Sequence, residues 1–199
     1  YVTYSIEGQT LSIEYDAVCD KDTLFNPTNH SYFNLSGKMC SIEDHYLTVN
    51  SDTYGPVDEN GLVLHRLSKV DNTPFDLRER RKIGDQFNTL NIQLRYANGF
   101  DHPYVVEGKK DPIKLLCKES GIQLTVNTTQ PCIHVYTGNF LFQAGYMHGG
   151  TLRERYGICF EPESMPDDIN WMENPRSILR AGEDFHSKST YLFENVEVE

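Results

Sequence analysis

The sequence lacks any apolar stretch close to the length that a membrane-spanning helix needs. A bilayer span takes about 20 consecutive apolar residues, and no segment of this 199-residue chain approaches that. No signal peptide opens the sequence either, because the first residues, YVTYSIEGQTL, alternate between apolar and polar as a strand does. We therefore expect no membrane partner.

Positive charge is also scarce. The chain has 18 Lys and Arg against 29 Asp and Glu, for a net charge of -11, whereas a surface that binds phosphates needs clustered cations. The longest basic run, RERRK at positions 78–82, is interrupted by Glu79 and is typical of a solvated turn. These features predict no nucleic-acid partner.

Close cysteine pairs are missing as well. The five cysteines stand singly, at Cys19, Cys40, Cys117, Cys132 and Cys159. An odd count without close pairs does not fit a disulfide framework, and no spacing resembles a zinc site. The pattern favours a reducing compartment, so we predict a cytoplasmic protein without a metal.

Alternation of period two dominates what is present, and it predicts strands. Residues 1–8 and 10–18 should form a hairpin, and the segments 104–108, 113–120 and 121–130 should form a meander. Only residues 76–94 have helical spacing. We predict a single all-β domain over residues 1–199, built as a large antiparallel β-sandwich.

Four polar positions on this scaffold carry groups suited to proton transfer or to binding hydroxyls. His30 lies in NPTNHSYFNLSG, where Asn29 and Asn34 are expected to orient the imidazole. Histidine exchanges protons readily near neutral pH. The alternative for His30 alone is a turn histidine bonded to a nearby carbonyl. Asp101, after an Asn-Gly turn, could bind sugar hydroxyls or simply close an Asx turn.

The two other positions lie on predicted strands. Alternation places His134 on a polar face that either lines a cavity or meets solvent. Glu161 follows the apolar residues ICF, where burial would raise its pKa towards that of a useful base, although a strand-ending glutamate is commonly just a surface residue. Glu163, Asp167 and Asp168 follow in a predicted loop and are expected to be solvated.

Five segments together resemble the aldose 1-epimerase (galactose mutarotase) family, in the family's order. The match runs through essentially the whole chain, and the Asn-His-Ser-Tyr-Phe-Asn-Leu and Tyr-Thr-Gly-Asn blocks are specific. The segments are NPTNHSYFNLSG (26–37), NGFDHPYVV (98–106), TTQPCIHVYTGNFL (128–141), CFEPESMPDDIN (159–170) and ILRAGEDFHSKSTYLF (178–193).

The resemblance implies a mutarotase-like supersandwich that interconverts the α and β anomers of aldohexoses such as galactose and glucose, without a cofactor. It implies that His30 is the general acid, which protonates the ring oxygen. Glu161 would be the general base at the anomeric hydroxyl, and Asp101 would bind substrate hydroxyls. His134 stands where the family usually has a sugar-binding glutamine, so we expect it to bind substrate.

The sequence also departs from the family pattern. The family's N-terminal portion carries a substrate-binding arginine and a second histidine, in Asn-Arg-Ile and Leu-His-Gly-Gly segments that do not occur here. We therefore expect an upstream segment or another chain to complete the sandwich. Two alternatives to a mutarotase remain open at this stage: a catalytically silent carbohydrate-binding β-sandwich, and a glycoside hydrolase that pairs Glu161 with Asp101 or Glu163.

Overall fold

Strands make up nearly all of the regular structure. The computed structural model describes residues 1–87, 90–141, 146–147 and 150–197. Within these ranges no helix is long and apolar enough to cross a membrane. The strands are β1 (Val2–Glu7), β2 (Thr10–Val18), β3 (Thr23–Leu24), β4 (Tyr32–Phe33), β5 (Tyr46–Val49), β6 (Thr53–Tyr54), β7 (Ser68–Lys69), β8 (Arg81–Lys82), β9 (Asp101–Val105), β10 (Ile113–Cys117), β11 (Ile122–Thr128), β12 (Cys132–Tyr136), β13 (Tyr146–Met147), β14 (Gly150–Thr151), β15 (Ile158–Glu163), β16 (Ile178–Leu179) and β17 (Asp184–Asn195). The helices are α1 (Ile83–Gln86), α2 (Ile92–Ala97) and two 3-10 turns, Ile42–Asp44 and Asp168–Asn170.

Two antiparallel sheets form a sandwich. The seven-stranded sheet has the order β1-β2-β17-β11-β10-β5-β8, and the six-stranded sheet has the order β4-β15-β12-β9-β6-β7. Two small two-stranded sheets, β13-β14 and β16-β3, accompany them. The predicted all-β class and antiparallel sandwich are confirmed.

The core lies between the two large sheets, because each contributes the apolar side of its alternating strands. Leu124 and Val126 of β11 face Ile133 and Val135 of β12 across one continuous cluster of buried residues. All four side chains are fully buried. Burying an aliphatic side chain of this size stabilises the fold by about 1.5–3 kcal/mol, so this face of each sheet provides most of the cohesion.

The predicted hairpin forms, and the predicted meander forms only in its second half, where β10 pairs with β11. β1 and β2 pair in register from Val2 opposite Tyr15 to Glu7 opposite Thr10, around a turn in which Gly8 has φ +59°. In contrast, β9 belongs to the six-stranded sheet, whereas β10 and β11 belong to the seven-stranded sheet. The turn at residues 106–112 therefore carries the chain from one layer to the other, a choice that alternation alone cannot reveal.

The segment 76–94 forms two short helices instead of one. Of this segment, residues 88 and 89 lie outside the described residues. At the start of α2, the Asn91 side chain accepts the N–H of Gln93 at 2.9 Å, and at its end Asn98 adopts a left-handed conformation with φ +54°. Asparagine tolerates that conformation well, so the Asn-Gly pair ends the helix and turns the chain into β9.

Candidate active site

The site is built on the outer face of the six-stranded sheet. Along β15, Ile158 and Phe160 point into the core and are fully buried. Because side chains alternate along a strand, Cys159, Glu161 and Glu163 point to the opposite face. In the neighbouring strand β12, His134 lies directly opposite Glu161, so the two side chains share that outer face.

The four predicted site residues converge around one cavity of about 460 Å³. They come from separate parts of the chain: the segment before β4, the start of β9, the middle of β12 and the second half of β15. The cavity is lined by His30, Tyr32, Asp101, His134, Tyr136, Glu161, Glu163 and Pro166.

His30 and Glu161 face each other across this cavity. The His30 Nε2 atom lies 3.6 Å from Oε1 of Glu161, and the two side chains are 52% and 12% exposed, respectively. Burial raises the pKa of Glu161, and the neighbouring His134 and His30 only partly offset this. A carboxylate with a raised pKa next to an accessible imidazole forms a base and an acid suited to proton transfer near neutral pH.

Contacts with sulfur and with aromatic rings orient His30. Its Nδ1 atom lies 3.3 Å from the sulfur of Cys159, and its ring packs against Tyr32 with centroids 5.2 Å apart. Tyr136 meets the imidazole edge-on at 6.1 Å. These groups leave the Nε2 edge directed towards Glu161.

The asparagines expected to orient His30 contact other groups. The Asn34 amide donates to the backbone carbonyls of Cys40 and Tyr156, at 2.8 and 3.1 Å. Asn29 accepts a hydrogen bond from Ser31 at 2.9 Å. The expected orientation by asparagines is therefore wrong, because Asn34 braces the loop that follows β4 instead of the imidazole.

Asp101, His134 and Glu163 form a chain of contacts along the other wall. The His134 Nε2 atom lies 2.7 Å from Oδ1 of Asp101, and Nδ1 lies 3.5 Å from Oε1 of Glu163. Burial alone would lower the pKa of His134, but the hydrogen bonds to Asp101 and Glu163 outweigh it and raise the pKa to about 10. The His134 imidazole therefore lies between two carboxylates, which favour its protonated form.

Two residues of the Tyr-Thr-Gly-Asn block (136–139) hold the backbone of Phe100, which precedes Asp101. The Asn139 side chain donates to the Phe100 carbonyl at 2.8 Å, and the Thr137 hydroxyl accepts the Phe100 N–H at 3.0 Å. Gly99 has φ +144°, and a Cβ atom there would lie 2.3 Å from the Asn139 side-chain oxygen. The buried polar pair fixes the turn that presents Asp101 to the cavity.

Two carboxylates predicted to be solvated are enclosed. Glu163 is 13% exposed and contacts His134, and Asp168 is fully buried. Asp168 accepts the backbone N–H of Arg176 at 2.6 Å and that of Ser177 at 3.1 Å, and it also accepts the Ser177 hydroxyl. The polar local sequence predicted solvent exposure. In the structure, β15 extends to Glu163, and the chain folds back so that residues 176 and 177 cover Asp168. Asp167 is 43% exposed, as expected.

His30, Cys159 and Glu161 bring one potential metal-ligand atom each within 4.8 Å of one another. Two observations oppose a metal ion. Cys159 approaches Nδ1 of the imidazole whereas Glu161 approaches Nε2, so the two ligands meet the ring from different sides. Burial also raises the pKa of the Cys159 thiol, which disfavours the thiolate that a metal binds.

The family model of aldose 1-epimerase matches residues 1–192. The chain belongs to the aldose 1-epimerase family. It is 36% identical to galactose mutarotase from Homo sapiens over 200 residues, which cover 97% of this chain and 56% of that protein. It is also 36% identical to aldose 1-epimerase from Escherichia coli, over 94% of this chain and 56% of that protein. The chain thus spans little more than half the length of these relatives.

Solved structures of the family have the same fold. A GalM/aldose epimerase homologue from C. elegans superposes with a TM-score of 0.88 at 27% identity, covering 98% of this chain and 59% of that one. A galactose 1-epimerase from Lactobacillus acidophilus superposes with a TM-score of 0.82 at 34% identity, covering 95% of this chain and 54% of that one. The architecture is therefore that of a galactose mutarotase fold.

Sequence reasoning missed several residues of this candidate site. Tyr136 and Pro166 line the cavity, and Cys159 contacts His30. The signal for Cys159 and Glu163 was their period-two spacing around Glu161. Tyr136 has the same spacing relative to His134, so strand alternation applied outward from each predicted residue would have found all three.

Proposed function

We propose that this chain carries the acid and base of an enzyme that interconverts the α and β anomers of aldohexoses such as galactose and glucose. The observation that carries the proposal is the 3.6 Å separation of His30 Nε2 and Glu161 Oε1 inside a polar cavity. Membership of the aldose 1-epimerase family supports it. Relatives named galactose mutarotase and aldose 1-epimerase support the substrate class.

The proposed reaction begins when Glu161 takes the proton of the hydroxyl on C1 and protonated His30 gives a proton to the ring oxygen. The electron pair from the O–H bond forms the carbonyl, and the C1–O5 bond breaks. Rotation about C1–C2 presents the other carbonyl face. The ring then closes as His30 takes the proton back from the C5 hydroxyl and Glu161 returns its proton to the carbonyl oxygen. Both residues end in their starting states.

The spacing of the two groups suits this chemistry. The anomeric hydroxyl and the ring oxygen are bonded to the same carbon, so the base and the acid must act within a few ångströms of one another. Holding both groups in place replaces two encounters in solution by one bound geometry. The short approach of His30 to Glu161 supports such paired transfers.

Asp101 and His134 are proposed to form the substrate-binding wall, Asp101 by direct contact with the sugar and His134 by holding Asp101. Asp101 is 37% exposed and borders the cavity, so its carboxylate can accept charge-assisted hydrogen bonds from sugar hydroxyls. His134 lines the same wall and holds Asp101 at 2.7 Å. The rings of Tyr32 and Tyr136, 6.3 Å apart, supply apolar surface beside His30 that excludes water from the reacting atoms.

Polarimetry tests the proposal directly. The optical rotation of freshly dissolved α-D-galactose and α-D-glucose is followed with and without the chain. The chain should accelerate the relaxation well beyond buffer, and His30→Asn should remove the acceleration. A matched control is His186→Asn, which changes an exposed histidine paired with Asp16 on the far sheet. Sugar binding without acceleration would instead indicate a silent carbohydrate-binding sandwich.

We infer that a further segment, from the same protein or another chain, completes the domain that residues 1–199 form in part. The support is an uncovered apolar surface on β1. Val2, Tyr4 and Ile6 are 52%, 63% and 79% exposed, yet Tyr4 pairs with the buried Ile13 on the core side of the sheet. Ile6→Lys should reduce concentration-dependent association of this chain in sedimentation velocity. A chain that stays monomeric at every concentration would contradict the inference.

We infer a cytoplasmic location from the cysteines. All five are free thiols, and Cys117, Cys132 and Cys159 are buried. Free thiols persist in reducing compartments. Fractionation of cells that express the tagged protein tests this inference, and recovery from a secreted fraction would contradict it.

A further inference from the structure

Both ring nitrogens of His134 contact carboxylates. The Nε2 atom lies 2.7 Å from Asp101, and Nδ1 lies 3.5 Å from Glu163. A neutral imidazole carries a single N–H and can donate to only one of two acceptors, whereas the doubly protonated ring can donate to both. The arrangement therefore favours the imidazolium form on geometric grounds alone.

The groups that face His134 from its two neighbouring strands reinforce this. Glu161 and Glu163 come from β15, and Asp101 comes from β9. A further titratable neighbour, His102 of β9, is fully buried. Burial, followed by the charge of His134, lowers the pKa of His102 to about 3, so it stays neutral. His134 thus lies among three carboxylates, with His30 on the far side of Glu161.

We propose that His134 is a positioning residue that acts as a fixed positive charge, holding Asp101 and Glu163 in place and keeping Glu161 in its basic form. The part concerning Glu161 rests on the proposed mutarotase function. Glu161 is the direct cross-strand neighbour of His134, and directly opposed side chains lie about 5 Å apart at their Cβ atoms. A unit charge at that range favours the ionised carboxylate.

One consequence concerns which hydrogen bonds this wall can form with a sugar. With both imidazole nitrogens directed at carboxylates, the wall offers the free oxygens of Asp101 and Glu163 to the ligand in place of imidazole donors. Carboxylate oxygens only accept hydrogen bonds. Sugar hydroxyls therefore act as donors along this wall, and His134 acts through the two carboxylates.

The protonation state is tested by NMR on the full chain, labelled with ¹⁵N in its histidines, without sugar. The His134 signals are assigned by their loss in His134→Gln. Both ring nitrogens should remain protonated between about pH 5 and about pH 8, the range in which an unperturbed imidazole changes charge. Loss of one ring proton within this range would overturn the proposal. No catalytic activity is needed for this measurement.

The effect on Glu161 is tested by ¹³C NMR of its side-chain carboxyl, assigned with Glu161→Gln. In His134→Gln the positive charge is gone, so Glu161 binds its proton more easily. Its titration midpoint should rise by about one pH unit. His134→Lys restores a positive charge and should reverse most of the rise. An unchanged midpoint in His134→Gln would contradict the proposal.

Controls separate this role from a merely structural one. His186→Gln removes an exposed histidine that also lies 2.7 Å from an aspartate, and it should leave the Glu161 midpoint unchanged. Circular dichroism shows whether each variant folds, and His134→Lys decides the outcome if His134→Gln does not. In polarimetry, the acidic limb of the rate should move to higher pH in His134→Gln. If the wild-type chain binds sugar without catalysis while both NMR results hold, the proposed function fails and the role of His134 stands.

Discussion

His102 and His134 lie on adjacent strands, β9 and β12, and on opposite faces of the six-stranded sheet. Both are removed from most solvent: His102 is fully buried and His134 is 17% exposed. His102 packs against Phe75 and Tyr54 with ring centroids 4.6 and 5.9 Å away. His134 packs between Asp101 and Glu163.

The two faces of the sheet therefore shift the pKa of the same kind of side chain in opposite directions. The pKa of His102 is lowered to about 3, principally by burial, whereas that of His134 is raised to about 10 by its two carboxylates despite burial. Burial alone does not decide whether an imidazole is charged. The neighbouring groups determine the pKa of each imidazole. Because side chains alternate along a strand, one face of the sheet meets apolar core residues and the other meets the carboxylates of the cavity.

Of the proposed substitutions on the cavity side of the six-stranded sheet, Glu161→Gln should have the largest effect on the reaction rate. We expect the mutarotation rate to fall by about 10²–10⁴-fold, the usual contribution of a positioned acid or base, with little change in sugar affinity. Thermal stability should not fall, because burial raises the pKa of Glu161 and so penalises its charged form. Polarimetry and thermal unfolding measure the two effects. Glu183→Gln, on an exposed carboxylate, is the control, and a near-normal rate in Glu161→Gln would remove Glu161 from the reaction.

Phe160→Ala tests the core side of the same strand, because Phe160 precedes Glu161 in β15 and points to the opposite face. Phe160 is fully buried and stacks on Phe33, so its loss should lower the free energy of unfolding by about 3–5 kcal/mol. Urea unfolding measures this. Leu90→Ala, at a side chain that is 95% exposed, should change stability little. Equal effects of the two substitutions would refute the assignment of Phe160 to the core.

The histidine comparison predicts a pH-dependent difference in stability. The Nδ1 atom of His102 accepts the Asp101 N–H at 3.0 Å, and protonation would break that bond. Because the folded-state pKa of His102 lies well below the ordinary histidine value of about 6.5, its contribution to stability is present above about pH 6.5 and is lost as the pH falls. Relative to His102→Asn, the wild type should lose about 2 kcal/mol between pH 6.5 and about pH 5.

Urea unfolding of both proteins across that range measures the difference. Asn keeps an acceptor close to the position of Nδ1 but does not titrate, so the pH dependence of the difference isolates the imidazole. A constant difference between the two proteins across the range would show that His102 takes up its proton as readily in the folded protein as in the unfolded one, against the lowered pKa.

Asp101→Asn should have the smallest effect of the four. The amide keeps the shape of the side chain but loses the charge, and hydrogen bonds to a charged group contribute about 1.5–3 kcal/mol. We expect the sugar affinity to fall by about tenfold, measured by calorimetry. Asp22→Asn, on an exposed aspartate paired with Arg180, is the matched control. Unchanged affinity in Asp101→Asn would place the sugar elsewhere.

The period-two alternation of apolar and polar residues predicted where strands form, but it did not predict which of the two sheets each strand joins. It found the β1–β2 hairpin because both strands and their glycine turn are contiguous in the sequence. It wrongly joined β9 to β10 because period two reports which residues share a face and not which sheet a strand enters. That choice depends on long-range pairing, such as β9 beside β12 and β10 beside β5.

The same limit applies to the site. His30 and Glu161 were identified as candidates from their residue type and local surroundings, but their approach to 3.6 Å depends on β4 pairing with β15. Cys159 beside His30 depends on the same pairing. Asp168 was misassigned because the backbone donors that enclose it come from residues 176 and 177, beyond its local segment.

The pairing of His134 with Glu161, and of Tyr136 with Asp101 and Cys159, fixes which lengths of strand this protein can tolerate. Deleting one residue early in β12 would shift every later side chain to the other face, turning His134 towards the core and Val135 towards the cavity. Deleting or inserting two residues would keep each side chain on its original face of the sheet and would only shift the cross-strand residues with which it pairs. The three central strands of the site can therefore vary in residue type far more freely than in length, and insertions in relatives should be confined to the connecting loops.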